Sequence, residues 1–536
     1  MTYLKYIFLS ALFLTGASNL LAQDLPSEEV EVIKDFEARL EDSEKINVLP
    51  ELPELDSTSR SLTYQVLANS LPLEYLPPKI RPLAMRGDKV PPAYNAYLKL
   101  GYGLPTTPYA ELAYNNSKEK TYDIGGHLKY LSTNRTALKN QRYRDISGSL
   151  YGNYFWDQGF AISGDMSYRL DEVHFYGYDH DVHDFSREEA QQQFKTFDAK
   201  ARFFNGERTQ GDINYGLSAQ FISLNDNFAS KENSVNVQAD ATKWFNENHP
   251  LTVILNTDFT SFKDTATQTL NNFSLKPSFT YHGEIFKVKV GVNLTSHKDN
   301  FILFPDAEVA VNVVGNKLMA FAGAEGGLYK NNFKNLSDYN PFIVSRLQIG
   351  NTDYNHFYGG VKGNLSIVDY KIRAGYKKAN NMALFLTDPM DTVRLNVLYD
   401  TVSVFNIEGT LEAQPMKNLS LIWTLSQSFF DLSNEEEAWH LPAFETNLSV
   451  RYLTLKDKLT LKGELFAENG VNFRTIQGST SKLNGLFDFN LGAEYQVTKN
   501  FSLFFDANNL LNNERERWFR YPIYGINILG GLTARF

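Results

Sequence analysis

The segment FDFNLGAEYQV, residues 487–497, alternates strictly between apolar side chains and residues that are polar or glycine. Its odd positions carry Phe, Phe, Leu, Ala, Tyr and Val, and its even positions carry Asp, Asn, Gly, Glu and Gln. Successive side chains on a β-strand point to opposite faces, so this period of two predicts a strand with one apolar and one water-facing side.

The same alternation recurs from residue 94 to the C-terminus. Residues 235–242, 286–295 and 459–468 are further examples, and Phe466 alone departs from the pattern in the last of them. Strands of a soluble β-sandwich also alternate, so the period by itself leaves two fold classes open.

Three features favour a transmembrane β-barrel over a sandwich. Many segments run for 10 to 14 residues, whereas sandwich strands typically have about 5–6. Charged residues recur on the polar face, as the wall of a water-filled lumen requires. Aromatic residues collect at strand ends, as they do at bilayer interfaces, and one such group is Tyr151, Tyr154, Phe155 and Trp156.

Short and long connections alternate between these segments. The short ones are residues 156–159, 246–250, 315–317, 368–371, 415–418, 455–458 and 497–500. The long ones are residues 132–141, 178–191, 331–353, 380–400, 432–441, 469–485 and 511–525. Outer-membrane barrels have short periplasmic turns and long outer loops. The pattern therefore predicts an all-β, transmembrane antiparallel barrel with both termini in the periplasm. The best count is 22 strands. A difference of two or four strands stays open, because Pro305 and residues 341–350 are ambiguous as strand breaks.

The composition excludes several other classes. The chain has 536 residues, of which 43% are hydrophobic and 14% aromatic, with a net charge of −10. A chain this long and aromatic is not disordered, and its acidic balance argues against a nucleic-acid partner. There is no cysteine, which excludes a disulfide framework, a Cys-ligated zinc site, an iron–sulfur cluster and a thiol nucleophile.

Residues 1–22 have the order of a secretory signal peptide. Lys5 precedes a short apolar run, and small residues follow up to a cleavage position after Ala22. That run is too short to span a bilayer, and no later apolar run reaches 18 residues. We therefore expect an exported chain.

Residues 23–92 predict an acidic, proline-rich periplasmic arm before a barrel at residues 93–536. Nine of the 19 prolines lie between Pro26 and Pro92, and residues 24–58 hold twelve acidic against three basic residues. Such a segment is mostly extended. It is either a solvated linker or a docking segment for a periplasmic protein.

The C-terminus carries a family resemblance. Phe536, at the end of an amphipathic last strand, resembles the signal read by the outer-membrane barrel-assembly machinery. Residues 508–512 (NNLLN) and 520–525 (RYPIYG) resemble the Asn-Leu-x-Asp/Asn and Tyr-Pro-x-x-Gly motifs at the end of TonB-dependent receptors. The resemblance covers about the last 35 residues, and the count of 22 strands agrees with it. The arm and barrel are similar in style to proteins of Bacteroidetes-type bacteria.

The chain departs from that family before the barrel. TonB-dependent receptors carry a globular plug, whereas the 70 residues of the arm are proline-rich and lack the plug's glycine-rich strands. We therefore expect no full plug domain. Residues 29–33 (EVEVI) resemble a TonB box, although an acidic and apolar pattern of this length also suits a solvated arm.

Motifs for chemistry are sparse. There is no Gly-x-Ser-x-Gly elbow, phosphate loop or dinucleotide fingerprint, so we expect no enzyme, no catalytic residue and no cofactor. A cluster of metal-type ligands follows the predicted strand 160–170, but a solvated outer loop explains it as well, and we expect no metal site. Its members are His174, Asp179, His180, Asp181, His183 and Asp184. The acidic run at residues 434–437 is likewise expected to be solvated.

Charged residues on the polar faces have mixed signs, which predicts lumenal salt bridges and no strong ion preference. They are Lys200, Arg202, Lys287, Lys289, Lys462, Arg535, Asp165, Asp198, Asp240, Asp488 and Glu494.

The sequence thus predicts a barrel of the Gram-negative outer membrane that acts in transport or uptake of a solute. Its wide lumen must be blocked by inward-folded loops, by the arm or by a partner protein. The alternative is a non-transporting scaffold subunit of an envelope complex, which uses residues 24–92 to dock a periplasmic partner. The expected partners are outer-membrane lipid, the barrel-assembly machinery at Phe536 and such a periplasmic protein. The sequence names no substrate.

Overall fold

The structure, a computed structural model, describes residues 94–116, 121–297 and 300–536, without the side chain of His297. The chain divides into two units, Met1–Asp88 and Lys89–Phe536, and the described residues belong to the second. The predicted signal peptide, the arm and its TonB-box-like residues all lie outside the described residues.

The described residues form a closed antiparallel barrel of 22 strands, which confirms the predicted fold class and count. Strands β1 and β26 close it, with Tyr97 opposite Arg535. The barrel strands are β1 Ala96–Leu104, β2 Thr107–Asn116, β3 Tyr122–Asn134, β4 Arg142–Phe155, β5 Phe160–His174, β6 Gln191–Asn205, β7 Ile213–Asp226, β8 Lys231–Phe245, β9 His249–Lys263, β10 Thr267–His282, β11 Phe286–His297, β12 Asn300–Val314, β13 Leu318–Asn331, β14 Gly350–Leu365, β15 Val368–Thr387, β16 Leu395–Met416, β17 Leu419–Leu432, β18 Phe444–Thr454, β19 Leu459–Glu468, β22 Leu486–Gln496, β23 Phe501–Asn508 and β26 Asn527–Arg535.

Small elements occur in the connections. Strands β20 (Asn472–Arg474) and β21 (Thr480–Lys482) form one hairpin, and β24 (Glu516–Trp518) and β25 (Tyr521–Pro522) form another. The helices are α1 (Arg187–Ala190) and α2 (Phe333–Tyr339). In the part of the chain that the structure describes, no helix has the length and apolar character needed to cross a membrane.

The alternation of side chains separates an apolar outer wall from a polar inner wall. On β22, Phe487, Leu491 and Tyr495 are exposed, whereas Asp488 on the other face is buried. Exposed apolar side chains continue around the barrel, from Leu100 and Tyr102 on β1 to Leu532 on β26. A continuous exposed apolar wall of this kind is what bilayer lipid covers.

The two ends of the barrel differ. At the near end lie Phe536 and the short turns, and the Ala96 amide donates to the Phe536 carbonyl at 2.9 Å. At the distal end lie the longer loops. We name these by their strands: the β5–β6 loop (residues 175–190), the β13–β14 loop (332–349), the β17–β18 loop (433–443), the β19–β22 loop (469–485) and the β23–β26 loop (509–526).

Two predicted connections are wrong. Residues 380–400 are mostly strand, because β15 and β16 stay paired past a bulge at Ala379–Met382 and leave only residues 388–394 as a loop. Residues 368–371 open β15, and the turn lies at residues 366–367. Pro305 does not break β12, since pairing with β13 begins only at Asp306 and the missing amide is not needed.

One member of the predicted aromatic group faces the other way. Tyr154 and Trp156 are exposed with their rings 4.9 Å apart, as expected of an interfacial girdle, and Phe155 is exposed at the end of β4. Tyr151, in contrast, accepts a hydrogen bond from Asn115 on the inner wall. It lies an odd number of residues from Tyr154, so the alternation places it on the opposite face.

Candidate functional site: a loop cap across the lumen

The β13–β14 loop is anchored on a wall strand well away from its own root. Asn332 caps α2 by accepting a hydrogen bond from the Asn335 amide at 3.2 Å. The buried Glu232 carboxylate of β8 accepts from the Phe333 amide at 2.7 Å and from the Asn332 side chain at 2.6 Å. A carboxylate at a helix N-terminus is stabilised by the unpaired amides there. Strands β9 to β12 separate β8 from β13, so the loop reaches across the lumen.

Helix α2 brings an apolar side chain into the lumen. Phe333 is 0% exposed, and its ring centroid lies 5.8 Å from Phe194 of β6 and 5.1 Å from Phe262 of β9. These contacts belong to one buried core, which joins wall strands on several sides of the barrel to three distal loops. The core comprises Phe175, Tyr176, Phe194, Leu224, Phe262, Phe333, Leu336, Ile343, Leu347, Ile349, Phe385, Leu395, Val397, Trp518 and Tyr521. We call this core and the loops that carry it the loop cap.

Three loops meet at one aromatic stack. The Phe342 ring of the β13–β14 loop stacks on Tyr521 of the β23–β26 loop, with centroids 3.8 Å apart. Tyr176 of the β5–β6 loop packs against Tyr521 at 5.0 Å and donates a hydrogen bond to the Pro522 carbonyl at 3.0 Å. Complete burial raises the pKa of Tyr521, so its hydroxyl stays neutral.

Hydrogen bonds to its own backbone hold the β13–β14 loop to the wall on two sides. Ile343 forms a parallel bridge with Leu395 of β16, and the Val344 amide donates to the Leu395 carbonyl at 2.8 Å. On the other side, the Gln268 side chain of β10 donates to the Leu347 carbonyl at 2.7 Å and accepts from the Ile349 amide at 3.1 Å. The loop therefore spans between two wall positions.

The β23–β26 loop closes the remaining side. Trp518 packs against Phe385 of β15 at 5.3 Å, Tyr339 at 5.6 Å and His440 of the β17–β18 loop at 5.2 Å. His440 is 1% exposed, and burial together with the neighbouring Arg517 lowers its pKa to about 3. The imidazole is therefore neutral at ordinary pH.

Arg394 connects parts of the loop cap that come from different strands. The guanidinium of Arg394 lies 4.5 Å from the centroid of Phe175 and 4.1 Å from that of Phe228. It also contacts the Asp391 carboxylate at 3.2 Å. Such cation–π contacts add about 0.5–2 kcal/mol each. Arg394 thus ties the residues between β15 and β16 to loops on the β5 to β8 side.

Below the loop cap, the inner wall is polar, and several of its charges are paired. Among the residues predicted to face inward, Arg202 lies 3.0 Å from Asp240, and Arg535 lies 2.7 Å from Glu494. Lys289 pairs with Asp306 at 2.6 Å. The expected lumenal salt bridges are therefore present. A cavity of about 560 Å³ opens on the near-end wall, lined by Asn312, Lys362, Tyr370, Lys371 and Glu412 among others.

The predicted His and Asp cluster is not assembled into a metal site. His174 lies in β5 and not in the loop, because β5 continues beyond residue 170 as far as His174. His180 contacts the Tyr176 carbonyl at 3.1 Å, and Asp184 pairs with Lys139, which lowers the pKa of Asp184. Over residues 94–116, 121–297 and 300–536, no group of three or more His, Cys, Asp or Glu is placed to hold a metal ion.

The sequence predicted that the acidic run at residues 434–437 is solvated. The structure instead places two of its carboxylates in hydrogen bonds to neighbouring side chains. The Glu435 carboxylate accepts from the Trp439 indole at 2.8 Å and from Arg474 at 2.6 Å. The Glu437 carboxylate accepts from the Asn472 side chain at 2.6 Å. These carboxylates connect the β17–β18 loop to the β19–β22 loop, because each finds a donor on the neighbouring loop.

The residues of the loop cap were not found from the sequence. The available signal was apolar and aromatic side chains inside predicted outer loops, such as Phe342-Ile343-Val344 and Trp518-Phe519. Large apolar and aromatic side chains are usually buried, so a run of them in a loop indicates that the loop is buried.

No known protein family model matches this chain, and no curated protein matches it.

Solved structures share its fold. The siderophore receptor PirA from Acinetobacter baumannii superposes with a TM-score of 0.65 at 9% identity, over 84% of this chain and 81% of that one. The FrpB iron transporter from Neisseria meningitidis gives 0.66 at 8% identity, over 83% and 82%. The ferric-catecholate import receptor Fiu from K12 E. coli gives 0.64 at 9% identity, over 83% and 82%. The fold implied by the resemblance to TonB-dependent receptors is thus confirmed.

Proposed function

We propose that this protein is an outer-membrane barrel for uptake of a solute and that the loop cap is the gate of the path through it. The observation that carries the proposal is a polar, charged lumen closed at one end by a buried apolar core. Receptors for iron compounds with the same fold support an uptake role. A barrel of 22 strands encloses a lumen that is usually plugged.

The loop cap suits a gate because its loops can move out of the lumen while the strands of the barrel stay paired. Asn331 and Gly350 face each other in the β13–β14 ladder, so the loop between them closes an intact hairpin. Asn508 and Asn527 are likewise paired at the root of the β23–β26 loop. All contacts of the loop cap with the wall are noncovalent. A solute that competes for the aromatic and arginine side chains would shift the loops toward an open state.

The placement in the cell is part of the proposal. We assign the near end to the periplasm and the distal loops to the exterior, because short turns face the periplasm in such barrels. Residues 1–22 then act as the export signal, residues 23–92 as a periplasmic arm that can dock a partner, and Phe536 as the signal for the barrel-assembly machinery. We propose a Bacteroidetes-type barrel that is closed by its own loops, without a separate plug domain.

Replacement of one loop tests this function against the non-transporting scaffold. Residues 332–349 are exchanged for Asn-Gly, a two-residue hairpin turn that fits the paired Asn331 and Gly350. We expect the intact protein to show low conductance in planar bilayers and the variant to show stable, large conductance. The control exchanges residues 469–485 in the same way between the paired Glu468 and Leu486, a loop outside the main core.

Two results would contradict the proposal. If the intact protein conducts as strongly as the variant, the loop cap does not close the lumen. If the folded variant stays silent, something else blocks the path, and the scaffold role is favoured.

A further inference from the structure

Three lysines form a lateral row on the wall at the distal end of neighbouring strands. Lys195 of β6 is paired with Asn225 of β7, and Asn225 with Lys231 of β8. Lys231 is paired directly with Lys263 of β9. All three lysines are exposed. We call Lys195, Lys231 and Lys263 the lysine row.

The lysine row faces away from the lumen. The residue next to each lysine in the sequence is buried at the loop cap, and these neighbours are Phe194, Glu232 and Phe262. Because side chains alternate along a strand, the lysines point outward from the barrel.

The charges of the lysine row are not neutralised within the described part of the chain. No ion pair there involves any of the three. Glu232, next to Lys231, faces the lumen and accepts from the Phe333 amide at 2.7 Å, and Asp264, next to Lys263, accepts from the Ala266 amide at 2.9 Å in its own turn. Directly opposed side chains in an antiparallel pair lie about 4.5–5.5 Å apart at Cβ, where like charges destabilise the sheet. An external anion would therefore offset the repulsion between Lys231 and Lys263.

The lysine row lies immediately beyond the apolar wall. From β6 to β9, the next outward row toward the near end is Phe197, Ser223, Asn233 and Ser261, and the row after it is Ala199, Phe221, Val235 and Phe259. The last three side chains are 40%, 41% and 54% exposed. Two residues of strand separate successive rows by about 6–7 Å. An anion on the lysine row would thus lie two rows, or about 13 Å, above the exposed side chains of Phe221, Val235 and Phe259.

This arrangement is not a general property of the distal rim. On β15 to β17, the outward row next to the apolar band holds Lys378, Ser403 and Asp431, and both charged side chains are exposed. Phe429, one outward position nearer the apolar band, is 54% exposed. That row therefore carries a lysine and a carboxylate together, unlike the lysine row.

We propose that the lysine row binds the phosphate groups of an anionic lipid in the leaflet around the distal rim. The inference rests on the proposed placement of the barrel in a membrane. Phosphate is a compact anion that several ammonium groups can share, and each lysine near an anionic surface adds to the attraction. The row that holds Ser223, Asn233 and Ser261 then faces the rest of the headgroup, and the row that holds Phe221, Val235 and Phe259 faces the acyl chains. The position at the edge of the apolar wall favours a lipid over a soluble polyanion.

The test measures retention of a phosphorylated lipid by the purified full-length barrel. Bis-phosphorylated lipid A and its dephosphorylated form are titrated against the protein in neutral detergent, and bound lipid is counted by native mass spectrometry. The triple variant K195Q/K231Q/K263Q is expected to bind the phosphorylated lipid about 10- to 100-fold more weakly. Binding of the dephosphorylated lipid should not change. The control K417Q/K456Q/K499Q removes the same charge from exposed near-end turns and should bind as the parent does.

Three outcomes would overturn the proposal. Equal retention by both triple variants would mean that the lysine row does not contact the lipid. Displacement of the lipid by millimolar inorganic phosphate would indicate a free-anion site instead. Loss of both lipid forms from the row variant, despite a folded barrel by heat-modifiable gel mobility, would indicate a general effect. None of these readouts involves conductance, so they remain separate from failure of the uptake proposal.

Discussion

Phe333→Ala should open the loop cap and leave the barrel intact. The ring is 0% exposed and packs against Phe194 and Phe262 on two wall strands. Truncation of a buried Phe to Ala costs about 3–5 kcal/mol, because transfer energy and packing are both lost. The contacts exist only when the loop is docked, so the cost falls on the closed state. The ratio of open to closed molecules should rise roughly 150- to 5,000-fold.

Two measurements report this shift. Amide hydrogen exchange over residues 333–349 should accelerate, and the time-averaged single-channel conductance should rise. The control is Phe301→Ala on β12, whose ring is 64% exposed on the outer wall and makes no contact with the loop cap. The reasoning is refuted if Phe333→Ala leaves both exchange and conductance at the parent level, or if Phe301→Ala changes them equally.

Two other perturbations act on the loop cap. Glu232→Gln keeps the shape of the side chain but removes charge-assisted hydrogen bonds to the α2 amides, so exchange of those amides should accelerate by the equivalent of about 1.5–3 kcal/mol; unchanged exchange would contradict the anchoring role. His440 has a pKa of about 3 when buried, against about 6.5 when free. The closed cap therefore binds fewer protons than the open one between these values. Its stability is complete above about pH 6.5 and is lost as the pH falls, by about 2 kcal/mol at pH 5. Exchange over residues 433–443 should accelerate accordingly, and His440→Gln should flatten that pH dependence.

The barrel could be predicted because its physics is local. Each strand has one face in lipid and the other in water. Every strand segment therefore alternates between apolar and polar residues, as residues 487–497 do. The strand count followed from the number of such segments between alternately short and long connections, and it is even because both termini lie at the same end. The error at residues 380–400 arose because β15 and β16 extend beyond the apolar wall, where both faces lose the lipid constraint and the alternation fades.

The loop cap could not be predicted because its contacts are long-range. Glu232 and Phe333 are about a hundred residues apart, and nothing near either residue specifies the other. Phe342 and Tyr521 meet only after the barrel has closed. Apolar residues in a predicted outer loop indicate burial, but the surface that buries them depends on strand order and on the curvature of the wall.

A reversible cross-link tests the gate most directly. The chain has no cysteine, so Ile343→Cys with Leu395→Cys creates a single pair across the parallel bridge between the β13–β14 loop and β16. Strand neighbours are about 4.8 Å apart, which is within the range that a disulfide spans. The pair is placed in the Phe333→Ala background, and potassium chloride conductance is measured. We predict that the oxidised protein is silent and that reduction restores the conductance of the open variant. Equal conductance in the oxidised and reduced forms would contradict a gate formed by the loop cap.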